Sequence, residues 1–258
     1  MVKDLFLGIR GYGKAITLFN KQKLWYFMAF PILISLCFAF FLYSIQDFFT
    51  DVINNYLKNF LNTAGWYDWI ATVFDWLISI LIFFLTFYLF IKIQKYVVLI
   101  LLAPILAFVS EKTETVLTKN RYDFDFTQFL KDVVRGITIA CINLLIELSF
   151  TGVFIIITWI FPLVAPFTTI LLLLIGWYFL GYSLLDYTNE RHRKSVKDSY
   201  QTIWKMKGIA IGNGLVFELM LLIPFVGLVF GPILGAAGAT ITYLQKHELN
   251  SIAPEKHV

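Results

Sequence analysis

The sequence predicts an all-α integral membrane protein with two transmembrane helices, two hairpins broken by proline and glycine, and an N-terminal interfacial helix. Of its 258 residues 59% are hydrophobic and only 15% are charged. A soluble domain carries about a quarter charged residues, so this chain lacks the polar surface of one. Residues 219–240 hold two prolines and four glycines but no charge. Such a turn has no surface for water and is expected in or at the edge of the bilayer.

The first 68 residues predict a helix on the membrane, a crossing and a far-side segment. Residues 1–23 combine apolar residues at helical spacing with five basic residues and one acid, which is typical of an interfacial helix. Residues 24–46 carry no charge and predict the first transmembrane helix, with Pro31 early in it. Residues 47–68 predict an amphipathic segment on the far side.

The rest of the chain alternates apolar and polar segments, and the whole, 1–258, is interpreted as one membrane domain. A second transmembrane helix with a cytoplasmic extension is expected to bend at Pro104, because proline removes a helix hydrogen bond. The predicted segments are this helix at 69–110, cytoplasmic helices at 111–135, hairpin 1 at 136–185, a basic cytoplasmic loop at 186–207, hairpin 2 at 208–244 and a tail at 245–258.

Both hairpins turn at apolar elbows. The arms of hairpin 1 are long enough to cross, whereas residues 208–223 of hairpin 2 would span only about 24 Å of helix. Neither elbow has a polar group to anchor it in far-side water, so hemi-penetrating hairpins are expected. The predicted elbow residues are Pro162 and Pro166 in hairpin 1, and Pro224, Gly227 and Pro232 in hairpin 2.

The distribution of basic residues predicts the topology. All but one of the 21 lysines and arginines lie in the termini and in the two basic segments between hydrophobic stretches, and the exception is Lys58. The positive-inside rule then places both termini in the cytoplasm of a multi-pass membrane protein. The net charge of +4 is assigned to lipid headgroups and topology, and no nucleic-acid partner is expected.

Several short motifs occur along the chain in a fixed order. They are Ala103-Pro104 with Glu111 and Glu114, Leu185-Asp186-Tyr187 with Glu190, His192 and Arg193, Ile223-Pro224 with Pro232, and Gly238-Ala239-Thr240. With the hydropathy profile, from about residue 10 to residue 245, they resemble the CysZ-type sulfate permeases, which are grouped with the etoposide-induced membrane proteins. This family places a pair of arginines ahead of its first transmembrane proline. At the corresponding distance before Pro31 this chain has Trp25 and Tyr26 instead.

The resemblance implies a function and an assembly. It implies an inner-membrane sulfate permease, or anion channel, that supplies cysteine biosynthesis. It also implies a homo-oligomer with two true transmembrane helices and hemi-penetrating hairpins. The alternative function is a non-transporting membrane scaffold that binds lipid or partner proteins.

A sulfate site needs hydrogen-bond donors and positive charge, because sulfate keeps two negative charges at neutral pH. A glycine-rich turn at a helix N-terminus offers N–H groups, and Lys or Arg adds charge. The N-terminal segment contains both, although its cations could instead contact lipid headgroups. The candidate sulfate-binding residues are Arg10, Gly11, Gly13, Lys14, Lys21 and Lys23.

Two acids inside apolar runs are candidates for coupling or gating. Glu147 is accompanied by Asn143, and Glu218 by Asn213. An ionised carboxylate there costs on the order of 3 kcal/mol, so each is expected to face protein, water or a cation, or to be protonated. Interhelical hydrogen bonding is the alternative role. No nucleophile–base pair, phosphate loop or metal cluster is apparent, so neither an enzyme nor a cofactor or metal is expected.

Overall fold

The computed structural model of the protein describes residues 1–33, 36, 68–119, 125–223 and 226–252, and among them it contains helices and no strand. The all-α prediction is confirmed. In chain order the α-helices of this part are α1 Val2–Gln22, α2 Asp68–Thr118, α3 Phe126–Ile160, α4 Ala165–Arg191, α5 Val196–Lys205, α6 Lys207–Leu221 and α7 Val226–Ile252. Two 3-10 helices, Leu24–Met28 and Pro162–Val164, are also present.

The chain divides into two compact units, where the sequence predicts a single domain. One unit holds residues 1–32 and 95–258, and the other holds residues 33–94. Several predicted features lie outside the described residues. They are most of the first transmembrane helix after Leu33, the far-side segment to residue 67, Pro224 and the last six residues of the tail.

Helix α1 occupies almost the whole predicted interfacial segment, and one of its faces is covered by protein. Gly8, Gly11 and Tyr12 are buried, as are Ala15 and Phe19 further along. These residues pack against α6 and α7. The helix ends at Lys23, whose left-handed backbone (φ 54°) lets its N–H bond to the Phe19 carbonyl.

Helices α3 and α4 form hairpin 1 as an antiparallel pair. The turn between them is the short 3-10 helix at Pro162–Val164. Pro162 begins this element and Pro166 lies in the first turn of α4. N–H groups in the first turn of a helix have no partner within the helix, so a proline there costs no hydrogen bond. The elbow is widely exposed, with Trp159 84% and Leu163 93% accessible.

Hairpin 2 differs from its prediction. Its turn includes Leu222 and Ile223, and α7 begins at Val226. Gly227 lies in the first turn of α7, against the Met220 carbonyl, where a Cβ would overlap it. The assignment of Pro232 to the elbow is wrong because it lies inside α7. A proline is tolerated there because neighbouring helices in a membrane bundle compensate for the lost hydrogen bond. The helix also runs past the predicted end at 244.

The two polar segments are more helical than predicted. Residues 111–118 continue α2 and residues 126–135 begin α3, so no separate helices form in the described parts of 111–135. The predicted basic loop 186–207 is wrong as a loop. It comprises the last turns of α4, whose residues 186–190 are buried, a short turn, helix α5 and the start of α6.

Glycines let α6 lie at the centre of the first unit. It contacts α1, α4 and α7. Gly212 faces the Leu5 carbonyl on α1, and Gly214 faces the Trp177 carbonyl on α4. Where α6 crosses α4, Gly181 of α4 in turn faces the Ala210 carbonyl of α6. A Cβ at any of these three positions would overlap backbone, so the crossings require glycine.

Four helical segments among the described residues are long and apolar enough to cross a membrane. They are Lys95–Thr118, Phe126–Ile160, Pro162–Arg191 and Val226–His247. Both arms of hairpin 1 are among them. A multi-pass membrane protein follows from these lengths and compositions.

The Gly181 crossing yields a stability prediction. Gly181→Ala should lower the free energy of unfolding by about 1–3 kcal/mol, because the methyl group meets backbone that cannot move alone. Gly152→Ala on α3 is the matched control, since a Cβ there has no heavy atom within 4 Å and alanine favours the helix by about 1 kcal/mol. Thermal unfolding in detergent measures both, and equal midpoints for the two variants would contradict the expectation.

Candidate functional site

A line of polar residues follows one face of α3 inside the apolar hairpin. We call this line the polar seam. Its members lie at intervals of seven or eight and four residues, which keeps them on one side of a helix. They are Arg135, Asn143, Glu147, Thr151 and Thr158. The seam extends from the N-terminal turns of α3 almost to the elbow, where Thr158 and Thr168 share a hydrogen bond of 2.8 Å.

The centre of the polar seam is a buried ion cluster. Lys95 of α2 is 1% exposed, and its Nζ lies 2.9 Å from Glu147 Oε1. The same nitrogen lies 3.6 Å from Glu218 Oε1 on α6. The Tyr96 hydroxyl donates to Glu147 Oε2 at 2.7 Å. Three helices thus bring one ammonium and two carboxylates together; we call these residues the Lys95 cluster.

A glycine makes room for this cluster. A Cβ at Gly176 of α4 would lie 3.0 Å from Glu147 Oε1 and 3.1 Å from Lys95 Nζ. Both contacts are tighter than ordinary van der Waals distances, so α4 can approach the ion pair closely only with glycine at this position. The fourth wall of the cluster is therefore bare backbone.

The charges of the cluster do not balance when both acids are ionised. One ammonium then faces two carboxylates, and the second carboxylate is held loosely. Glu218 Oε2 is buried and has no hydrogen-bond partner among the described residues. An unpaired buried charge is costly, so Glu218 is the member of the cluster most readily displaced.

The sequence interpretation identified the two acids but missed their cation. Lys95 follows an apolar run, as an interface lysine would, and its partners are 52 and more than 100 residues away. The signal that could have found Lys95 is charge balance. Two isolated acids in apolar helices favour a cation on another helix as their partner.

The two asparagines have structural partners. Asn143 Nδ2 donates to Ser183 Oγ at 2.8 Å and to the Phe179 carbonyl at 3.2 Å, which ties α3 to α4. Asn213 accepts from the Tyr12 hydroxyl on α1, at 3.1 Å on its carbonyl and 3.2 Å on its side chain. Its own Nδ2 donates to the Gly235 carbonyl at 3.4 Å. Asn213 therefore joins three helices, as the interhelical alternative expects.

Acids and bases from distant motifs meet at the end of the helices opposite the elbow. Arg135 bonds both oxygens of Asp186, each at 3.0 Å. Glu114 is held by Arg191 at 3.0 Å and by His192 Nε2 at 3.1 Å. Several residues of the sequence motifs, Glu114, Asp186, His192 and Thr240, thus lie in ion pairs or hydrogen bonds with one another or with neighbouring helices.

The candidate sulfate residues lie on α1 and at its end, but the expected glycine-rich turn is wrong. Gly11 and Gly13 are in mid-helix. Gly11 packs on Gly238 of α7, where a Cβ would lie 2.8 Å from the Gly238 carbonyl oxygen. Gly13 is exposed, and a Cβ there meets nothing within 4 Å. Neither offers a free N–H to an anion, because mid-helical N–H groups bond to carbonyls.

The cations of this set form an exposed stripe. Arg10, Lys14 and Lys21 are exposed and, at 100° per residue, fall within about 40° of one another on α1. Lys14 Nζ also donates to Gln245 Oε1 at 2.6 Å. Arg10 and Lys21 are about 16 Å apart along the axis, so they cannot bind one small anion together. The stripe suits successive contacts with anions or several lipid headgroups.

The Lys95 cluster yields a second stability prediction. Lys95→Met should cost about 3–5 kcal/mol, since it leaves two buried carboxylates without their cation. The triple variant Lys95→Met, Glu147→Gln, Glu218→Gln should recover much of this loss because it buries no charge. Chemical denaturation in detergent measures both. A single variant as stable as the parent, or a triple variant less stable than the single one, would contradict the ion pairing.

A comparison with known protein families gives a match over most of the chain. The family model described as sulfate transporter CysZ/Etoposide-induced protein 2.4 matches residues 12–232, and so covers the second half of α1, helices α2 to α6 and the first turns of α7. No curated protein matches the chain. Because the family match spans most of its length, the chain belongs to the EI24 family of CysZ and etoposide-induced 2.4 proteins.

Proposed function

We propose that this protein is a sulfate permease of the cell inner membrane that takes up sulfate for cysteine biosynthesis. The observation that carries the proposal is the Lys95 cluster, in which a cation and two acids are brought together. Lys95 and Glu147 lie in helical segments of membrane-spanning length and composition, and Glu218 lies on the shorter helix α6. The family to which the chain belongs is described by the sulfate transporter CysZ and by etoposide-induced protein 2.4, which supports the same assignment.

A purely structural role would not require these charges. Replacing a buried ion pair by well-packed hydrophobic residues is often neutral or stabilising, so its presence is weak evidence for stability. Ionisable residues within membrane helices usually line a path for ions or protons. The polar seam supplies such a path, because it continues from the cluster towards both ends of hairpin 1.

The geometry supports a division of roles in permeation. The basic stripe of α1 raises the local concentration of oxyanions at the surface. Lys95 is the cation that an anion meets in the interior, and Glu147 keeps it in place at 2.9 Å. Glu218, held only at 3.6 Å, competes with the anion for Lys95 and acts as the gate. An anion passes when Glu218 moves away from Lys95.

The proposal also includes topology and assembly. Both termini face the cytoplasm, following the positive-inside rule. A homo-oligomer is expected, and outward-facing apolar residues of α3 and α4 such as Leu145, Ile156 and Ile170 are available for lipid or for a second copy.

One observation favours the alternative, a non-transporting scaffold. The elbow of hairpin 1 exposes five large apolar side chains: Trp159, Ile160, Phe161, Leu163 and Phe167. Such a tip inserts into lipid or fits a pocket of a partner protein without any transport function. Uptake measurements separate the two functions.

Glu218 gives the first transport prediction. In liposomes containing the purified protein, Glu218→Gln should raise the rate of labelled sulfate uptake severalfold, because it removes a negative charge beside Lys95 while keeping the shape of the side chain. Glu111→Gln on α2 is the matched control, since that carboxylate lies about 24 Å along the helix from Lys95. Uptake no faster than in empty liposomes would refute the permease proposal, and equal effects of both variants would refute the gate.

The basic stripe of α1 gives the second transport prediction. Changing Arg10, Lys14, Lys21 and Lys23 together to Gln should slow sulfate uptake at least about tenfold at low salt, because electrostatic attraction of the anion is lost. The control variant changes four other exposed lysines to Gln: Lys112, Lys119, Lys197 and Lys205. Equal loss in both would show a general charge effect and contradict a specific role for the stripe.

A further inference from the structure

A wide cavity opens where the first turns of α3 meet the turn after α4. Its volume is about 780 Å³. One wall consists of Leu130, Val134, Thr138 and Ile142, which are four residues apart and so share a face of α3. Arg193 and Lys194 of the turn and Glu190 of α4 also line it. The cavity is separate from the Lys95 cluster and from the α1 stripe.

The cations of the cavity are of two kinds. Arg135 is bound to Asp186, and Lys194 donates to the Tyr243 hydroxyl at 2.9 Å and to Thr202 at 3.2 Å. Burial lowers the pKa of Lys194, and Asp198 partly opposes this. Lys131 and Arg193 are exposed and form no ion pair with the described residues. Two positive charges are therefore available to a ligand.

The wall beneath these cations is apolar and open. Leu130, Val134 and Ile142 are 47%, 62% and 44% exposed. Exposed apolar residues continue along α3 at Leu145 and Val153 towards the elbow. Since Phe126–Ile160 has the length and composition of a membrane span, this surface runs from a cationic rim into the hydrocarbon region.

A buried carboxyl group completes the site. Glu190 lines the cavity, is only 4% exposed, and its Oε1 has no hydrogen-bond partner among the described residues. Asp132, the other acid of the lining, is engaged by Gln128 at 2.5 Å. An unmade hydrogen bond of a buried carboxyl group is costly, so a ligand hydroxyl facing Glu190 would be favoured.

We propose that this cavity binds one anionic phospholipid with a hydroxyl-bearing headgroup, of the phosphatidylglycerol type. The phosphodiester accepts hydrogen bonds from Lys131 and Arg193, a headgroup hydroxyl donates to Glu190, and an acyl chain covers the Leu130–Ile142 face. A free oxyanion would match only the cations and would leave both the apolar wall and Glu190 unsatisfied. Basic pockets between helices at the membrane surface are typical sites for such headgroups.

The backbone at Arg193 permits an unusually clean test. Arg193 occupies the left-handed position after the end of α4, with φ 53°, and the Lys194 N–H bonds to the Asn189 carbonyl at 3.1 Å. Glycine is the preferred residue in this conformation. Arg193→Gly therefore removes the charge without straining the fold. Lys119→Gly is the matched control, because Lys119 is an exposed basic residue with φ 60° that does not line the cavity.

Binding is measured by native mass spectrometry of the full-length protein in detergent, with phosphatidylglycerol, phosphatidylcholine and inorganic phosphate as separate probes. Phosphatidylglycerol should bind more tightly than phosphatidylcholine, and inorganic phosphate should not displace it. Arg193→Gly should weaken phosphatidylglycerol binding about fivefold, and Lys119→Gly should leave it unchanged. The thermal midpoint of Arg193→Gly should equal or exceed that of the parent.

Three outcomes would overturn the proposal. Equal binding of the two lipids would remove the role of charge, and displacement by inorganic phosphate would indicate a site for free oxyanions. Equal weakening by both glycine variants would indicate a general surface effect. If Arg193→Gly lowers the midpoint, Lys131→Gln at an exposed helical position makes the same test, with the same fivefold expectation and Lys112→Gln as its control.

Discussion

The close approach of helix backbones around α6 is the constraint on which the rest of the first unit depends. Gly212, Gly214 and Gly181 each face a carbonyl of a neighbouring helix, so α6 can touch α1 and α4 directly. Lipid tails are as apolar as leucine, and helices in a membrane associate through such packing and through hydrogen bonds. With α6 held this close, Glu218 reaches the ammonium of Lys95, and Asn213 reaches both α1 and α7. The ion cluster is thus a consequence of small residues elsewhere.

Much of the architecture could be predicted from composition and spacing. Apolar runs without charge can form only helices in a bilayer, so the all-α class followed directly. The elbow at Pro162 was also accessible from sequence, because proline tolerates the start of a helix and the flanking runs were long enough for two arms. The N-terminal helix followed from its 3.6-residue periodicity, and its end at Lys23 agrees closely with the predicted boundary. Glu147 and Glu218 stood out because isolated acids in apolar runs are rare.

Other features depend on contacts that sequence does not display. Lys95 resembles an interface lysine, and only the packing of α2 against α3 and α6 reveals its partners. Pro232 resembles a turn residue, but in a tightly packed bundle neighbouring helices tolerate a proline within α7. The glycines near Gly11 resemble an anion-binding turn, yet Gly11 serves a helix crossing. The buried end of α4 resembles a loop in the sequence because it is charged, and only the structure shows the partners of these charges. Asp186 pairs with Arg135 and Ser199, and Arg191 pairs with Glu114.

The length of α3 has a consequence for the lipid environment that this protein requires. From Arg135 to the exposed Trp159 the helix rises about 36 Å, close to the thickness of a hydrocarbon core of about 30 Å with part of the interface on each side. Tryptophan prefers the headgroup level, and Arg135 lies in an ion pair with Asp186 at the other end of the helix, so the two residues mark the ends of the apolar stretch. If the bilayer is much thinner than this stretch, either the bilayer must thicken around the protein or the hairpin must tilt. Because Glu147 also lies on α3, any tilt of this helix changes the depth of the buried charges in the bilayer.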